Sequence, residues 1–187
     1  MDDQPNLNII DETGKIVGED SRTNVHDKGL LHQEIHVWFF TSDGKIIFQH
    51  RAKDKDTFPN LLDASVGGHV EKGEKYIDTA LKEIKEETGL RVTSDKLRYI
   101  KTQRSTSYDP VTSRTNNVLR AVFAYRYDGL IESLMIEQGK GIGFEAWPLK
   151  TILNISSEEK KRFIPTIFNP DIIDVFHKIV LIIQRES

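Results

Sequence analysis

Residues 67–90 read GGHVEKGEKYIDTALKEIKEETGL, and this stretch decides how the remaining sequence is interpreted. Within it, apolar residues recur at intervals of three and four, which is the spacing of the buried stripe on an amphipathic helix. Gly89 then supplies a stop signal. The spacing predicts a helix over residues 75–88 whose apolar stripe consists of Ile77, Ala80, Leu81 and Ile84.

The acidic residues of this helix form a second pattern. Glu83, Glu86 and Glu87 are spaced i, i+3 and i+4, so a helix places their carboxylates on one face, which we expect to be separate from the apolar stripe. A hard divalent cation is bound through oxygen atoms, so the pattern fits a metal site. Glu-rich helix faces are also commonly solvated, with Lys82 and Glu86 forming an ordinary ion pair within the helix. Taken alone, the cluster is compatible with both interpretations.

The composition of the chain narrows the class of protein. Its 187 residues, 37% hydrophobic and 29% charged with a net charge of -3, predict a single domain over residues 1–187 and give no indication of a nucleic-acid partner. The absence of cysteine excludes a disulfide and a thiolate nucleophile. The N-terminal MDDQPNLNII lacks an apolar signal core, and IVLII at residues 179–183 is too short to span a bilayer. We therefore expect a cytoplasmic protein with no membrane partner.

Strand patterns surround the predicted helix. Residues 6–10 and 15–17 flank an Asp-Glu-Thr-Gly turn, which predicts a hairpin over residues 6–18. Residues 31–40 are apolar on both faces and predict a central strand that is covered on both sides. Further strands are predicted at residues 45–50, 64–66, 97–105 and 117–127.

The last quarter of the chain has helix signals. Ser156 and Glu159 have the spacing of a capping box, and Asn169 with Pro170 resembles an N-cap followed by a first-turn proline, so we expect helices within residues 156–186. Strands and helices together predict an α/β fold in which helices cover a mixed sheet. The apolar C-terminal helix and the N-terminal hairpin are surfaces at which a homodimer could form.

The flanks of the acidic cluster extend it to a longer pattern: Gly68, five residues, Glu74, seven residues, and then KEIKEETGL at residues 82–90. This pattern resembles the Nudix box, in which a loop, a helix and a second loop build a site for diphosphate hydrolysis. The resemblance implies the Nudix-type α/β/α sandwich with a mixed β-sheet. It also implies Mg²⁺ or Mn²⁺ as the cofactor, because a divalent cation neutralises the charge that develops on diphosphate oxygens and lowers the pKa of the attacking water.

The resemblance assigns roles to individual residues. Glu86 and Glu87 would bind the metal ion, and Glu83 would bind it too or help to deprotonate a water. Gly68 would offer its carbonyl oxygen to the metal and permit a tight loop, while Glu74 would support the site. Many Nudix hydrolases take a further carboxylate from outside the box, and here the candidate is Glu137 in the sequence IEQGKGIGF.

Lys82 is the one departure from the box, where the family usually has arginine. Lysine keeps the positive charge but lacks the planar fork with which arginine holds a carboxylate in one orientation. The departure predicts reduced rather than absent activity.

Residues 7–90 also resemble the Nudix-fold isopentenyl diphosphate isomerases and the hydrolases related to them. In that branch, the cations that match Arg51 and Lys55 contact the substrate diphosphate, although ordinary solvated loop charges are an equal alternative here. The isomerase needs a cysteine where this chain has Gly67, and it has acidic residues on a later strand where this chain has Asn116 and Asn117. The acid and base for moving a proton across a double bond are therefore missing.

The resemblance to the isomerases also involves three histidines. His32 and His69 match two of the histidines with which the isomerase binds its own metal ion, and His26 lies one residue out of register with a third. We expect structural histidines at strand ends, with a second metal site as the alternative.

These patterns lead to one functional hypothesis and two alternatives. We expect a metal-dependent hydrolase in which water attacks a phosphoanhydride bond of a nucleoside di- or triphosphate or a related diphosphate. The alternatives are an isopentenyl diphosphate isomerase and a Nudix domain that senses a nucleotide without cleaving it. The complete set of Glu83, Glu86 and Glu87 argues against a sensor, which has no need for all three.

Overall fold

A nine-stranded mixed sheet runs through the computed structural model, which describes residues 6–55 and 58–186. The strands are β1 (Asn6–Ile10), β2 (Ile16–Ser21), β3 (His32–Phe40), β4 (Lys45–Arg51), β5 (Leu62–Asp63), β6 (Val66–His69), β7 (Arg98–Asp109), β8 (Arg114–Arg126) and β9 (Gly141–Pro148). The helices are α1 (Arg22–Asp27), α2 (Tyr76–Thr88), α3 (Leu149–Ile152), α4 (Ser157–Lys160) and α5 (Pro170–Glu186), with 3₁₀ turns at Ser94–Lys96, Ile131–Ser133 and Pro165–Phe168.

The centre of the sheet is β3, as its apolar pattern predicts. It pairs in parallel with β8 along its whole length, and β1, β6 and β4 pair with it in turn, all antiparallel. Successive side chains of β3 point to opposite faces, and both faces are covered: Ile35, Val37 and Phe39 lie in one core, while Trp38 and Phe40 lie in the other. A strand with such neighbours fixes the position of every segment that pairs with it.

The two cores separate the helices into two layers. On one face, α2 packs through Ala80 and Ile84 against the cluster that contains Val37. On the other face, α5 packs through Phe176, whose ring centroid lies 5.0 Å from that of Trp38. Helices therefore cover both faces of the mixed sheet, and the predicted α/β/α sandwich is confirmed.

Several element bounds differ from the prediction. The second strand of the N-terminal hairpin continues to Ser21, and the polar segment that follows forms α1. In place of the strand expected at residues 64–66 there are two short strands, β5 and β6, with Ala64 and Ser65 between them. The largest difference is the β7–β8 hairpin, whose strands pair from Arg98 to Asp109. Its far half is rich in Ser, Thr and Asn and lacks apolar alternation, so pairing with the neighbouring strand, not core burial, maintains it.

The C-terminal expectations agree with the structure. Ser156 and Glu159 form the predicted capping box at α4, which is only one turn long, and α5 begins at Pro170 as expected. Within residues 6–55 and 58–186, the structure contains no helix that is both long and apolar enough to cross a membrane.

The packing of α5 gives a stability prediction. We expect Phe176→Ala to lower the free energy of unfolding by about 3–5 kcal/mol, because Phe176 is fully buried between Trp38 and Phe48 and its truncation leaves a cavity. Leu181→Ala on the same helix, where the side chain is half exposed, should change it by less than about 0.5 kcal/mol. Urea unfolding of both variants measures the difference. Equal losses would contradict the assignment of α5 to the core.

Candidate active site

Helix α2 turns two of its three box glutamates into the protein. Glu83 and Glu87 are 7% and 2% exposed, whereas Glu86 is exposed. The expectation that all three carboxylates lie apart from the apolar stripe is therefore wrong for Glu83 and Glu87. The reason is helical geometry: Ala80, Glu83 or Ile84, and Glu87 follow one another at intervals of three and four, so the two glutamates continue the buried face.

A lysine from a distant loop lies among these carboxylates. The ammonium of Lys140, just before β9, donates a hydrogen bond of 3.0 Å to Glu87 Oε1. It lies 3.5 Å from Glu83 Oε2 and 3.7 Å from Glu137 Oε2. The structure thus brings Glu137, the candidate from outside the box, together with Glu83 and Glu87 around one cation.

The second oxygen of Glu87 is held by the sheet. Gln49 on β4 donates from Nε2 to Glu87 Oε2 at 3.0 Å. Sequence reasoning missed both Gln49 and Lys140. Lys140 is part of the GKGIG segment, which does not have the form of a P-loop, and Gln49 has no local pattern that marks it as polar and buried.

Burial dominates the electrostatics of this cluster. It raises the pKa of Glu87 to about 7, against the opposing effect of Lys140, and it also raises the pKa of Glu83 above the ordinary value. Burial acts to lower the pKa of Lys140, but the carboxylates of Glu87 and Glu83 outweigh it and hold that pKa above its usual value. Two buried carboxylates close together thus require a cation beside them.

The backbone of β6 lies directly against Glu83. A Cβ atom built on Gly68 would lie only 2.4 Å from Glu83 Cδ and 2.4 Å from Oε1, so any residue other than glycine would displace the Glu83 carboxylate. Among the described residues, Glu83 Oε2 and Glu137 Oε2 are buried and accept no hydrogen bond. Buried oxygen atoms that lack hydrogens and already surround an ammonium are the donor set that a hard divalent cation prefers.

Lys82 acts on the loop before α2. Its ammonium donates to Glu71 Oε1 at 2.8 Å and to Glu74 Oε1 at 2.7 Å. The other oxygen of Glu74 accepts a hydrogen bond of 2.7 Å from Thr79 Oγ1 in the first turn of α2. Lys82 therefore holds two separate carboxylates and ties Glu74 to the helix, a role in positioning the loop.

A cavity of about 590 Å³ lies beside the carboxylate cluster. Lys140 lines it together with Arg51 and Lys55, the two cations singled out in the sequence. Arg51 donates to Asp63 Oδ2 at 2.9 Å and to the carbonyl of Phe58 at 3.1 Å, which fixes its guanidinium at the wall. Other charged or polar lining residues include two members of the three-histidine group, His26 and His69, together with Arg22, Glu34, His36, Asp63, Arg120, Asn116, Tyr108, Asp109, Thr112 and Arg114.

The match to a known family agrees with this geometry. The NUDIX domain family matches residues 30–166, which include the box, most of the sheet and Lys140. The chain belongs to the Nudix hydrolase family. Known Nudix relatives include the uncharacterized Nudix hydrolase CA_C0446 of Clostridium acetobutylicum, which is 30% identical over 161 residues that cover 84% of this chain and 73% of the relative. Another is the uncharacterized Nudix hydrolase SCO1686 of Streptomyces coelicolor, 39% identical over 83 residues, where the match covers 44% of this chain and about half of the relative, 46%.

Solved structures share the Nudix fold of this chain. DR0079 from Deinococcus radiodurans has a TM-score of 0.65 at 21% identity, covering 92% of this chain and 98% of that one. The NUDIX domain of Shewanella oneidensis NrtR, solved in complex with ADP ribose, has a TM-score of 0.55 at 15% identity and covers 80% of this chain and 87% of that one. At such identities the similarity concerns the fold.

Away from the Nudix box, the three histidines meet in space. The ring centroids of His26, His32 and His69 are 5.0–5.1 Å apart, and one ligand nitrogen from each lies within 4.8 Å of the others. His26 Nδ1 donates to the carbonyl of Arg22 at 2.8 Å, and His32 Nδ1 donates to that of Leu30 at 2.9 Å. In the neutral rings neither of these Nε2 atoms then carries a hydrogen. His26 Nε2 accepts a hydrogen bond of 3.2 Å from His69 Nε2, whereas His32 Nε2 has no hydrogen-bond partner among the described residues.

This arrangement favours the alternative that the sequence left open. Burial lowers the pKa of all three histidines, which keeps them in the neutral form that binds a metal ion. The hydrogen bond from His69 to His26 is one structural use of this arrangement, but it leaves the buried His32 Nε2 beside it without a donor in the described part of the chain. A second metal site, of the kind that Zn²⁺ occupies with three imidazoles, therefore becomes the favoured prediction.

The contact between Gly68 and Glu83 gives a matched pair of variants. Gly68→Ala should displace the Glu83 carboxylate and weaken Mn²⁺ binding by about 10- to 100-fold, as changes beside metal ligands do. Gly67→Ala, whose Cβ would meet His36 at an ordinary 3.4 Å, should leave the affinity nearly unchanged. Calorimetric titration of Mn²⁺ into both folded variants measures the effect. Similar affinities would show that Gly68 does not position Glu83.

The histidine cluster is tested with Co²⁺ as a spectroscopic substitute for Zn²⁺. In a Glu87→Gln background, which disables the carboxylate cluster, we expect one equivalent of Co²⁺ to produce the visible absorption of a tetrahedral site. His69→Gln should abolish that absorption, while His177→Gln, at an exposed position of α5, should retain it. Absence of the band in the background protein would return the three histidines to a structural role.

Proposed function

We propose that this chain is a hydrolase, dependent on Mg²⁺ or Mn²⁺, that cleaves a phosphoanhydride bond of a nucleoside di- or triphosphate or a related nucleoside diphosphate derivative by attack of water. The observation that carries the proposal is the cluster of Glu83, Glu87 and Glu137 around one ammonium, at the edge of a cationic cavity. A diphosphate brought into that cavity places its negative charge between the lining cations and the metal-binding carboxylates.

The position of each glutamate indicates its role in the proposed reaction. A bound divalent cation supplies charge neutralisation and a more acidic water. Glu83 and Glu87 offer buried oxygens to that cation from inside the protein, and Glu86 offers its carboxylate from the exposed side of α2. Glu137 adds a fourth carboxylate from the loop before β9. The Gly68 backbone keeps Glu83 in place, and the free oxygen of Glu83 is available to the metal ion or to the proton of the attacking water.

The cavity wall supports a polar substrate. Arg51 and Lys55 lie on the same wall as Lys140, where they can contact phosphate oxygens. Burial lowers the pKa of Lys55, and the nearby positive charges of Arg51 and Lys140 add to this effect, so an anion entering the cavity relieves the repulsion among three cations. The remaining lining groups are largely charged or polar and suit a sugar and a base better than an isoprenoid chain, whose entry would strip them of water without replacing their hydrogen bonds.

The proposal of a nucleoside diphosphate derivative has one further support. The structurally similar NUDIX domain of Shewanella oneidensis NrtR was solved with ADP ribose, which is a molecule of that class. The same fold accommodates such a ligand in that protein.

The isomerase alternative lacks its acid and base within the cavity. Gly67 has no side chain, and Asn116 offers an amide. Glu34 is the remaining acid on β3, but Arg120 donates to its Oε2 at 2.7 Å from Nε and lies at 2.6 Å through Nη2. Burial acts to raise the pKa of Glu34, and Arg120 outweighs it and holds the pKa well below the ordinary range. A carboxylate held in that ion pair is a poor proton donor.

Turnover on a substrate panel tests the proposal. The purified protein is incubated with nucleoside diphosphates, nucleoside triphosphates, ADP ribose and the two five-carbon prenyl diphosphates, with Mg²⁺ or Mn²⁺ and with chelator, and released phosphate or nucleotide is measured. We expect metal-dependent turnover of at least one nucleotide, reduced about 100-fold or more in Glu87→Gln, because even indirect partners of metal ligands change activity by 10- to 100-fold. Glu132→Gln, at an exposed position, should retain full turnover.

The other outcomes identify the alternatives. Interconversion of the prenyl diphosphates without hydrolysis would favour the isomerase, and nucleotide binding without any turnover would favour a sensor. Turnover that survives Glu87→Gln undiminished would contradict the assignment of the carboxylate cluster as the catalytic centre.

A further inference from the structure

Lys140 lies where the proposed function requires a metal ion. Its ammonium is within 4 Å of Glu83, Glu87 and Glu137, three of the carboxylates that would hold the cation. We propose that Lys140 is an internal competitor of the divalent cation, which neutralises the carboxylates in the metal-free protein and turns into the cavity to bind a substrate phosphate when the metal ion displaces it. This inference rests on the proposed function and adds a residue that the sequence pattern does not contain.

The ammonium satisfies the carboxylates incompletely. It can donate three hydrogen bonds, yet its contacts at 3.5 and 3.7 Å are too long for good ones, and only the bond to Glu87 is short. Glu83 Oε2 and Glu137 Oε2 remain buried without a hydrogen bond in the described part of the chain. One positive charge also leaves three carboxylates undercompensated. A divalent cation would lie closer to the oxygen atoms and carry more positive charge, so it would satisfy these carboxylates better than the lysine does.

The two cations cannot share the cluster. An ion coordinated by the oxygens of Glu83 and Glu87 would lie within a few ångströms of the Lys140 ammonium and repel it beside carboxylates that are largely buried. Metal binding therefore requires the ammonium to leave. By the same linkage, the interaction of Lys140 with Glu87 lowers the metal affinity of the free protein.

The chain permits this movement through the side chain alone. The Lys140 backbone is fixed at both polar groups, since its N–H donates to the carbonyl of Glu137 at 3.1 Å and its carbonyl accepts from the N–H of Ala52 at 3.2 Å. The side chain is one third exposed and ends a flexible four-carbon stem. It already lines the cavity, so a change of rotamer transfers the ammonium from the carboxylates to the cavity space.

The cavity itself makes the movement dependent on substrate. The cavity is also lined by Arg51 and Lys55, and the positive charges of Lys55 and Lys140 repel each other. A phosphate between these cations removes the repulsion and gives the ammonium a new partner. The metal ion and the substrate should therefore bind with positive coupling through Lys140, each favouring the other by the same factor.

Metal binding without substrate provides the direct test. Mn²⁺ is titrated by calorimetry into the wild type, Lys140→Met and Lys85→Met. Lys85 is an exposed lysine of α2, so its variant loses the same charge near the site without removing the contact. We expect Lys140→Met to bind Mn²⁺ about 10-fold more tightly or better, within the usual range of such coupling, and Lys85→Met to match the wild type. An affinity of Lys140→Met equal to or below that of Lys85→Met would overturn the proposal.

A second arm tests the transfer to phosphate. Mn²⁺ titrations are repeated in the presence of a non-hydrolysable nucleoside diphosphate analogue with an imido bridge. The analogue should tighten Mn²⁺ binding to the wild type and to Lys85→Met, and this gain should be smaller in Lys140→Met, where only the direct contact of phosphate with the metal ion contributes. An undiminished gain in Lys140→Met would show that the ammonium does not reach the phosphate. Lys140→Arg, which keeps the charge, guards against misfolding of the methionine variant and should not tighten Mn²⁺ binding.

The failure of this inference differs from the failure of the proposed function. If the wild type binds Mn²⁺ and hydrolyses a nucleotide but Lys140→Met shows no tighter metal binding, only the competitor role is wrong. If the wild type neither binds Mn²⁺ nor turns over any substrate, the hydrolase proposal fails and the competitor role fails with it.

Discussion

The burial of two like charges on one helix face is the constraint on which the rest of the site depends. Helix α2 docks on the sheet through Ala80 and Ile84, and the same face carries Glu83 and Glu87 into the interior. Burying an unpaired carboxylate at such a position costs several kcal/mol of folding free energy. A cation and hydrogen-bond donors must therefore lie where α2 packs on the sheet. Lys140, directly before β9, supplies the cation, and Gln49 on β4 supplies a hydrogen-bond donor. The same two buried glutamates thus affect both the stability of the α2 packing and the binding of a cation.

The central strand β3 positions several of the residues around these buried charges. Its pairing with β6 places Gly68 opposite Ile35, and the missing side chain leaves room for the Glu83 carboxylate. Its parallel pairing with β8 places Arg120 opposite Glu34, which settles a second buried charge on the cavity side. Three of the groups that shape the proposed site therefore take their positions from hydrogen bonds of a single strand.

Local patterns in the sequence were sufficient for the helix, the central strand, the N-terminal hairpin and the Nudix box, because each depends on residues close together in the chain. They were insufficient for the contacts across it. Gln49 and Glu87 are 38 residues apart, and Glu87 and Lys140 are 53 apart, so no periodicity connects them. Periodicity also misplaced Glu83 and Glu87 on a solvated face, since a carboxylate was assumed to mark the outside of the helix. The individual catalytic and metal-binding roles stay predictions.

The β7–β8 hairpin extends from the centre of the sheet to the cavity. The second strand of the hairpin, β8, is paired with β3 in the centre of the sheet, while the far end of the hairpin, around Tyr108 and Arg114, lines the cavity. From Arg104 to Asn117 no side chain is buried, although Arg114 pairs with Asp27 of α1. The hairpin tip and the carboxylate cluster therefore lie on different elements, so a change at the tip reshapes the cavity wall without directly displacing Glu83 or Glu87.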